Sequence, residues 1–501
     1  MNRSKSNQSQ LLGLKGLLLL FFSVIQFDAT GQLLKPMWIS EYDNLGTFSS
    51  PRVIDLNGDG IKDIVIGAGR QEFSACDSSV IALDGANGQL LWNVSARDQI
   101  FGSANFMDIN DDGVPDVFIG GRSAEFMAIN GKTGKIIWEF FPQGDTSEIG
   151  ANNLFNFYNP QFIPDQDMDG IQDILVSNGG DVTAEPYDEN RTSGSLMVIS
   201  GLTGQLLSRA AMPDNREIYM SALVDDLDND GTLDIIFGTG GETVGGGFYR
   251  STLPDLMKGD ISNSILLATG EHKGFIGPPV IADINGDHVK DIIVNSVDGR
   301  LMAFDGVDHQ IIWGGKIPDT ESYSSLAVGD VNGDDIPDFF TVFAIGIWPK
   351  LEAIRPLLID GSTGKVIFSD SIGFYQMSSA VLADFNIDNH VDALINVNFF
   401  LPNEKGEKTI HNTLLVYDFY NHTKFAISEP MVGSNVASTP WVGDLDDDGF
   451  LDIIYCNMTT PDRVYTFDGM RVIRLKTDLP LNNNVPWGAY MGNNYDGIFN
   501  R

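Results

Sequence analysis

The chain has 501 residues, of which only 20% are charged, with 54 glycines and a formal net charge of −37. Such acidity disfavours nucleic acid and anionic membranes as partners, because both would be repelled. The glycine content suits a turn-rich β protein, and a repeat architecture, which grows by adding modules, accommodates a length beyond the usual single core.

Arg3, Lys5 and Lys15 precede and flank an apolar run from Gly16 to Phe27, and Ala29-Thr30-Gly31 then supplies small residues for cleavage. This pattern predicts a secretory signal peptide over residues 1–31 and a mature chain from about Gln32. No Cys stands near the cleavage site to carry a lipid anchor, and no later stretch is long enough to span a membrane. The expected location is outside the cytoplasm: extracellular, periplasmic or at the cell surface. Next, Leu33 to Glu41 reads as an outer strand, with Trp38 placed 17 residues before Asp55 as Trp313 is placed 17 before Asp330. It is expected to pair with the last repeat and close a ring, which would remove exposed sheet edges.

The first repeat follows. Ser49 to Ile54 enters as a strand, Asp55 to Asp63 forms a polar loop, and Asp63 to Gly67 leaves as a second strand. Val80 to Leu83 is a third strand, Asp84-Gly-Ala-Asn-Gly88 a turn, and Gln89 to Val94 the fourth. The loop recurs from Asp108, Asp165, Asp226, Asp283, Asp330, Asp384 and Asp444, at intervals of 53, 57, 61, 57, 47, 54 and 60 residues. That period is proper to a four-stranded propeller blade.

Every copy has Asp at positions 1, 5 and 9 and Asn or Asp at 3, a register that a plain turn does not require. Calcium takes six to eight oxygens in a flexible shell, so side chains at 1, 3, 5 and 9 and a backbone carbonyl at 7 suit it, and the lack of Cys argues against zinc. The candidate metal residues are therefore Asp55, Asn57, Asp59, Ile61 and Asp63; Asp108, Asn110, Asp112, Val114 and Asp116; Asp165, Asp167, Asp169, Ile171 and Asp173; and Asp226, Asp228, Asp230, Thr232 and Asp234. In the second half of the chain they are Asp283, Asn285, Asp287, Val289 and Asp291; Asp330, Asn332, Asp334, Ile336 and Asp338; Asp384, Asn386, Asp388, His390 and Asp392; and Asp444, Asp446, Asp448, Phe450 and Asp452. An EF-hand would need Glu at position 12, where Ile66, Ile119, Val176, Phe237, Val294, Thr341, Ile395 and Tyr455 stand instead. Of the 68 acidic residues, 27 occupy ligand positions of these loops, so a large part of the acidity reads as a ligand inventory.

His288, Asp335 and Asn389 stand at position 6 where glycine would ease a left-handed turn, so those loops either adopt it at a cost or turn differently. Gly179 to Gly194 lengthens the third repeat and Gly238 to Gly274 enlarges the fourth. Belonging to neighbouring repeats, the two stretches are expected to meet on one face and to border any ligand pocket. Trp92, Trp138 and Trp313 in outer strands are read as packing between neighbouring sheets rather than a ligand-stacking ladder. Cys76 and Cys456, in the first and last repeats, are either two buried thiols or a disulfide across the ring closure. Trp487 to Asn494 offers a further closing contact. The fold class expected is all-β: one closed β-propeller of eight four-stranded blades over residues 32–501, with seven blades as the alternative.

The D-x-[DN]-x-D-G-x-x-D loop after a Ser/Pro-rich strand resembles the FG-GAP and VCBS repeats of integrin-α-type propellers, which implies structural calcium and a binding or adhesion role. The turns Asp305 to Trp313 and Asp360 to Phe368 are similar to the tryptophan-docking turns of quinoprotein-like propellers. On catalysis the residues are silent. The six His fall in metal loops, outer turns and inter-strand segments, there is no G-x-S-x-G elbow, and Gly361 to Val366 is too short for a phosphate loop. The expected function is that of a secreted, monomeric, calcium-binding propeller that holds an extracellular protein or glycan. The alternative is a propeller enzyme, either a polysaccharide lyase or a quinone-cofactor dehydrogenase.

Overall fold

Eight antiparallel sheets follow one another along the chain in the computed structural model, which describes residues 33–140, 155–181, 184–481 and 485–500. The predicted signal peptide lies outside these residues. In the first blade the strands run outward from the axis as Arg52–Ile54, Asp63–Gly67, Cys76–Leu83 and Leu90–Ala96. Blades 2 to 7 repeat the order, with inner strands Asn105–Met107, Gln161–Ile163, Leu223–Asp225, Val280–Ala282, Ala327–Gly329 and Val381–Ala383. The eighth has Trp441–Gly443, Phe450–Met458 and Gly469–Pro480, and its outermost strand is the N-terminal Pro36–Asp43, antiparallel to Gly469–Pro480. The ring therefore closes with eight blades rather than seven. Arg471 to Lys476 belongs to the third strand of the last blade, inside the N-terminal strand.

The second strands are runs rich in β-branched and aromatic residues, buried along their whole length in blades 1 to 5, as in Asp63–Gly67 and Asp234–Gly238, because sheets cover both faces. One apolar cluster joins Val65 and Val80 of blade 1 to Val117 and Ile119 of blade 2, and equivalent clusters join the other neighbours. The tryptophans behave as packing residues. Trp92 Nε1 donates to the Gly131 carbonyl of the next blade at 2.6 Å, and Trp38, Trp138 and Trp313 do the same to Gly85, Gly201 and Gly361. The ring lies so close to Gly134, whose φ is +68°, that a Cβ there would stand 2.6 Å from it. Burying such a ring is worth roughly 1.5–3 kcal/mol before the hydrogen bond is counted.

Around the axis runs a belt of side-chain-to-backbone hydrogen bonds from residues two positions before each inner strand. Ser50 N donates to Ser103 Oγ, Ser103 N to Asn159 Oδ1, Asn159 N to Ser221 Oγ, Ser325 N to Ser379 Oγ, Ser379 N to Thr439 Oγ1 and Thr439 N to Ser50 Oγ. The belt breaks at blade 5, where Pro278 has neither an N–H nor a hydroxyl and only accepts from Ser325 Oγ.

The C-terminal segment does not merely touch the closure; it fills the axial channel. Trp487 O accepts from Leu382 N, Gly488 O from Val442 N and Gly497 O from Ile281 N, while Tyr495 Oη accepts from Val53 N and its carbonyl from Gln161. Five inner strands or their neighbours are thereby tied to one segment, and Trp487 is 1% exposed.

One expectation is corrected and one alternative decided. Gly238 to Gly274 is not an insertion: it contains the third and outer strands of blade 4, Gly246–Thr252 and Ile265–Gly270. A helix, Leu253–Met257, capped by Thr252 and started by Pro254, replaces the usual Asp-Gly turn between them. Cys76 and Cys456 are free thiols, both buried in one apolar cluster at the closure of blades 8 and 1. Burial pushes the Cys456 thiol up to about 12.

Candidate functional site

The polar loops join first to second strands, and the docking turns join third to fourth, so topology places both on one face of the ring. Within each loop the chain turns left-handed at positions 4 and 6, as at Gly58 and Gly60 or Gly286 and His288. His288, Asp335 and Asn389 adopt φ values of 70°, 69° and 65°, so these loops accept the backbone cost rather than turning otherwise. The cause is the position-1 carboxylate, which in all eight loops accepts the position-6 N–H on one oxygen and a position-4 or position-5 N–H on the other. Position 5 likewise accepts from the position-7 N–H, as Asp59 does from Ile61.

Position 9 is different. All eight of these aspartates are at most 1% exposed, and each accepts the N–H of position 2, as Asp63 does from Leu56 at 2.8 Å. In five blades the other oxygen accepts the N–H of the docking-turn glycine, stapling the two turns of a blade together: Gly85 on Asp63, Gly131 on Asp116, Gly201 on Asp173, Gly306 on Asp291 and Gly361 on Asp338. Burial pushes Asp63, Asp291 and Asp338 up to about 6.

The remaining three blades depart from that staple, and the departures grade how well each loop suits a cation. In blade 4, Arg250 from the third strand bonds Asp228 and Asp234, and in blade 8 Arg474 bonds Asp446 and Asp452. A guanidinium already spans positions 3 and 9 there, so these two acid-rich loops fit calcium poorly despite four carboxylates apiece. In blade 7 no glycine follows Asp418; Asp392 receives only the Phe385 N–H, and its Oδ1 is buried without a partner. Burial, then the neighbouring Asp418, Asp388 and Asp384, push it up to about 8. In blade 3, ligand atoms of Asp165, Asp167 and Asp173 lie within 4.8 Å of one another, as do those of Asp226, Asp228 and Asp230 in blade 4 and Asp444, Asp446 and Asp452 in blade 8. Among the described residues no Lys or Arg bonds to Asp165, Asp167 or Asp173, which makes the blade-3 loop the better fit for a divalent cation. In the other four blades Asn57, Asn110, Asn285 and Asn332 turn their amide toward the position-9 carboxylate.

The opposite face carries the connections from second to third strands and from each outer strand to the next blade. They surround an axial funnel of about 490 Å³, within the usual size of a small-molecule site. Its walls are Phe48, Phe101, Tyr158, Tyr219, Tyr323, Trp348, Tyr375 and Tyr465, and Tyr490 of the axial segment is at its base. Ring pairs line it at near-perpendicular angles: Phe48–Tyr465 at 6.3 Å, Tyr158–Tyr219 at 6.5 Å and Tyr323–Tyr375 at 5.9 Å.

Buried acids hold these rings in place. Glu321, 1% exposed, accepts from Tyr323 Oη and from the Trp348 N–H while its other oxygen pairs with Lys273 at 2.6 Å. Arg191 bonds Glu217 at 2.7 Å and Tyr219 Oη at 3.1 Å. Glu242, also in the wall, is raised by burial. Arg122 pairs with Glu72 at 2.5 Å, so the one guanidinium of the lining is neutralised within it. The long stretches do meet here: Gly180 and Gly241 both pack on the Tyr219 ring, and Tyr187 stands 6.4 Å from Trp348. Sequence reading missed the funnel, although its signal recurs: Phe48, Phe101, Tyr219, Tyr323 and Met377 each stand two residues before a belt serine. No histidine lines the funnel among the described residues.

A family model described as the FAM234A/B beta-propeller matches residues 38–242, the closing strand and blades 1 to 3 with part of blade 4. Protein FAM234B of Gallus gallus is 25% identical over 169 residues, 32% of this chain; the match spans a quarter of that relative's length. Among solved structures, quinohemoprotein alcohol dehydrogenase from Comamonas testosteroni aligns with a TM-score of 0.56 at 12% identity, over 89% of this chain and 77% of its own. Europium-containing methanol dehydrogenase gives 0.55 at 10% identity over 88% and 93%, and Sqt1 of Saccharomyces cerevisiae 0.51 at 9% over 89% and 100%. At such identities these likenesses speak for the fold alone. The chain is an eight-bladed β-propeller whose first half is similar to the propeller of FAM234A/B.

Proposed function

We propose that this protein is a secreted or surface-displayed binding module that captures an extracellular ligand in its aromatic funnel and uses calcium, where bound, as a structural brace. The carrying observation is the funnel itself, a concave site built on the axis by connections from all eight blades and held rigid by buried Glu217 and Glu321. Rings fixed before a ligand arrives lose little entropy on binding. The blade-3 loop, with Asp165, Asp167 and Asp173 converging, is the first calcium site, and the blade-7 loop with the orphaned Asp392 Oδ1 is the second. Bound there, calcium would supply charge neutralisation. No described helix is long and apolar enough to cross a membrane.

An adhesion role and a catalytic role make different demands on the funnel. The test is a panel of extracellular matrix proteins and glycans, run with the full chain and with Trp348→Ala and Tyr375→Ala. Binding lost in both variants without product formation supports the module. Binding indifferent to both variants, or turnover of a polysaccharide, would discard it.

A further inference from the structure

The lining of the funnel selects a ligand class, and this step rests on the funnel being the binding site. Three features converge there. First, flat apolar surfaces are offered by Trp348, Tyr375, Tyr465 and Tyr490. Second, hydroxyl donors lie in the base: Ser50, Ser103 and Ser221 each accept one backbone N–H through Oγ in the axial belt, which leaves the hydroxyl hydrogen as a donor for the cavity they line. Third, formal charge is nearly cancelled, since Arg122 is paired with Glu72 and the remaining acid, Glu242, is raised by burial.

Each feature rejects something. An acidic glycan or phosphorylated ligand would need a free cation, and Arg122 is already committed while the chain carries −37. A purely apolar ligand would leave the serine donors and Glu242 desolvated without partners. A strongly cationic peptide would want open carboxylates, but Glu242 is held in a partly buried wall and Glu72 is paired. A neutral sugar meets all three demands: its C–H faces lie against aromatic rings, and its hydroxyls exchange hydrogen bonds with serine and carboxyl groups.

We infer that the funnel binds the terminal rings of a neutral glycan, stacked on Trp348 and Tyr375 and hydrogen-bonded to the serines of the axial belt. The test uses the full mature chain and isothermal titration with cellobiose, N,N′-diacetylchitobiose and lactose, set against trigalacturonate and trilysine. At least one neutral disaccharide should bind, with Kd raised at least tenfold in Trp348→Ala and again in Tyr465→Ala, a rim residue that is 54% exposed and so removable without harm to folding. Lys132→Ala, exposed on the opposite face, should leave Kd unchanged. Funnel-dependent binding of trilysine or trigalacturonate in place of the neutral sugars would overturn the ligand class while keeping the funnel as the site. Sugar binding that ignores both aromatic variants would overturn this inference together with the reading beneath it.

Discussion

The loop face and the funnel face are products of one repeat, yet they use repetition in opposite ways. On the loop face each blade solves the same local problem again, closing a nine-residue turn around its own aspartates and stapling it through position 9. On the funnel face each blade contributes a side chain or two to a single cavity. A change on the loop face should therefore be felt as stability, blade by blade, and a change in the funnel as recognition.

The largest effect should come where local charge is buried. Arg474 is fully buried and bonds Asp446, Asp452 and the Gly85 carbonyl of blade 1. Arg474→Met would leave two carboxylates facing each other and should cost about 3–5 kcal/mol in denaturant unfolding. Added calcium should restore part of that loss once Lys476, which also bonds Asp446 and Asp448, is replaced too, because Arg474→Met/Lys476→Met frees the loop of bonded cations as blade 3 is. A variant that melts as the parent does, with or without calcium, would show that the arginine does not stand in for a cation. Trp487→Ala should cost a similar roughly 3–5 kcal/mol, and it would blur the comparison, since the axial segment serves both faces.

Next in size is the staple. Asp116→Ala removes the acceptor for the buried Ile109 and Gly131 N–H groups and for the exposed Asn110 amide, and should lower stability by about 2–4 kcal/mol. Sequence alone did identify Asp116, but as a metal ligand equal to its neighbours. What separates position 9 from positions 1, 3 and 5 is burial at the root of the second strand, and that depends on the docking turn arriving from 15 residues or more downstream. The blade count, the N-terminal closing strand and the tryptophan docking were legible because each rests on a local motif that recurs at fixed spacing. The arginines of blades 4 and 8 were not, since Arg250 and Arg474 sit in strands where only the third dimension reveals what they face. The funnel was legible only in part: one aromatic or apolar residue per repeat has a fixed register, while Trp348, Tyr375 and Tyr465 come from connections of unequal length.

A smaller, graded effect should appear with pH. Asp392 is raised to about 8, Glu125 to about 7 and Asp63, Asp291 and Asp338 to about 6, all chiefly by burial. A carboxyl whose folded value exceeds its unfolded one gives its full contribution below the unfolded value and loses it as pH rises through the folded one. In chelator, the melting temperature should therefore fall between about pH 5 and 8, and Asp392→Asn should flatten the upper part of that fall. In calcium the fall should shrink, because a cation favours the ionised carboxylates. A profile that rises with pH over this window in chelator would contradict the burial argument.

The smallest effect on stability, and the sharpest on the contrast between faces, belongs to the funnel rim. Tyr465 is 54% exposed, touches Phe48 edge-on at 6.3 Å and hydrogen-bonds Tyr375 through its hydroxyl, so truncating it opens no cavity in the interblade core and loses one rim hydrogen bond. Tyr465→Ala should shift stability by no more than about 1 kcal/mol, the net worth of one side-chain hydrogen bond at a largely exposed site. Trp348→Ala should cost somewhat more, because Tyr187 rests against its ring, yet its backbone N–H would keep Glu321 as a partner. Paired with the staple variant, these give a double dissociation: Asp116→Ala melts early but binds when folded, whereas Tyr465→Ala melts normally and binds weakly. If Tyr465→Ala instead destabilised the ring as much as Asp116→Ala, the rim would be part of the fold's support, and the division of labour between the faces would fail.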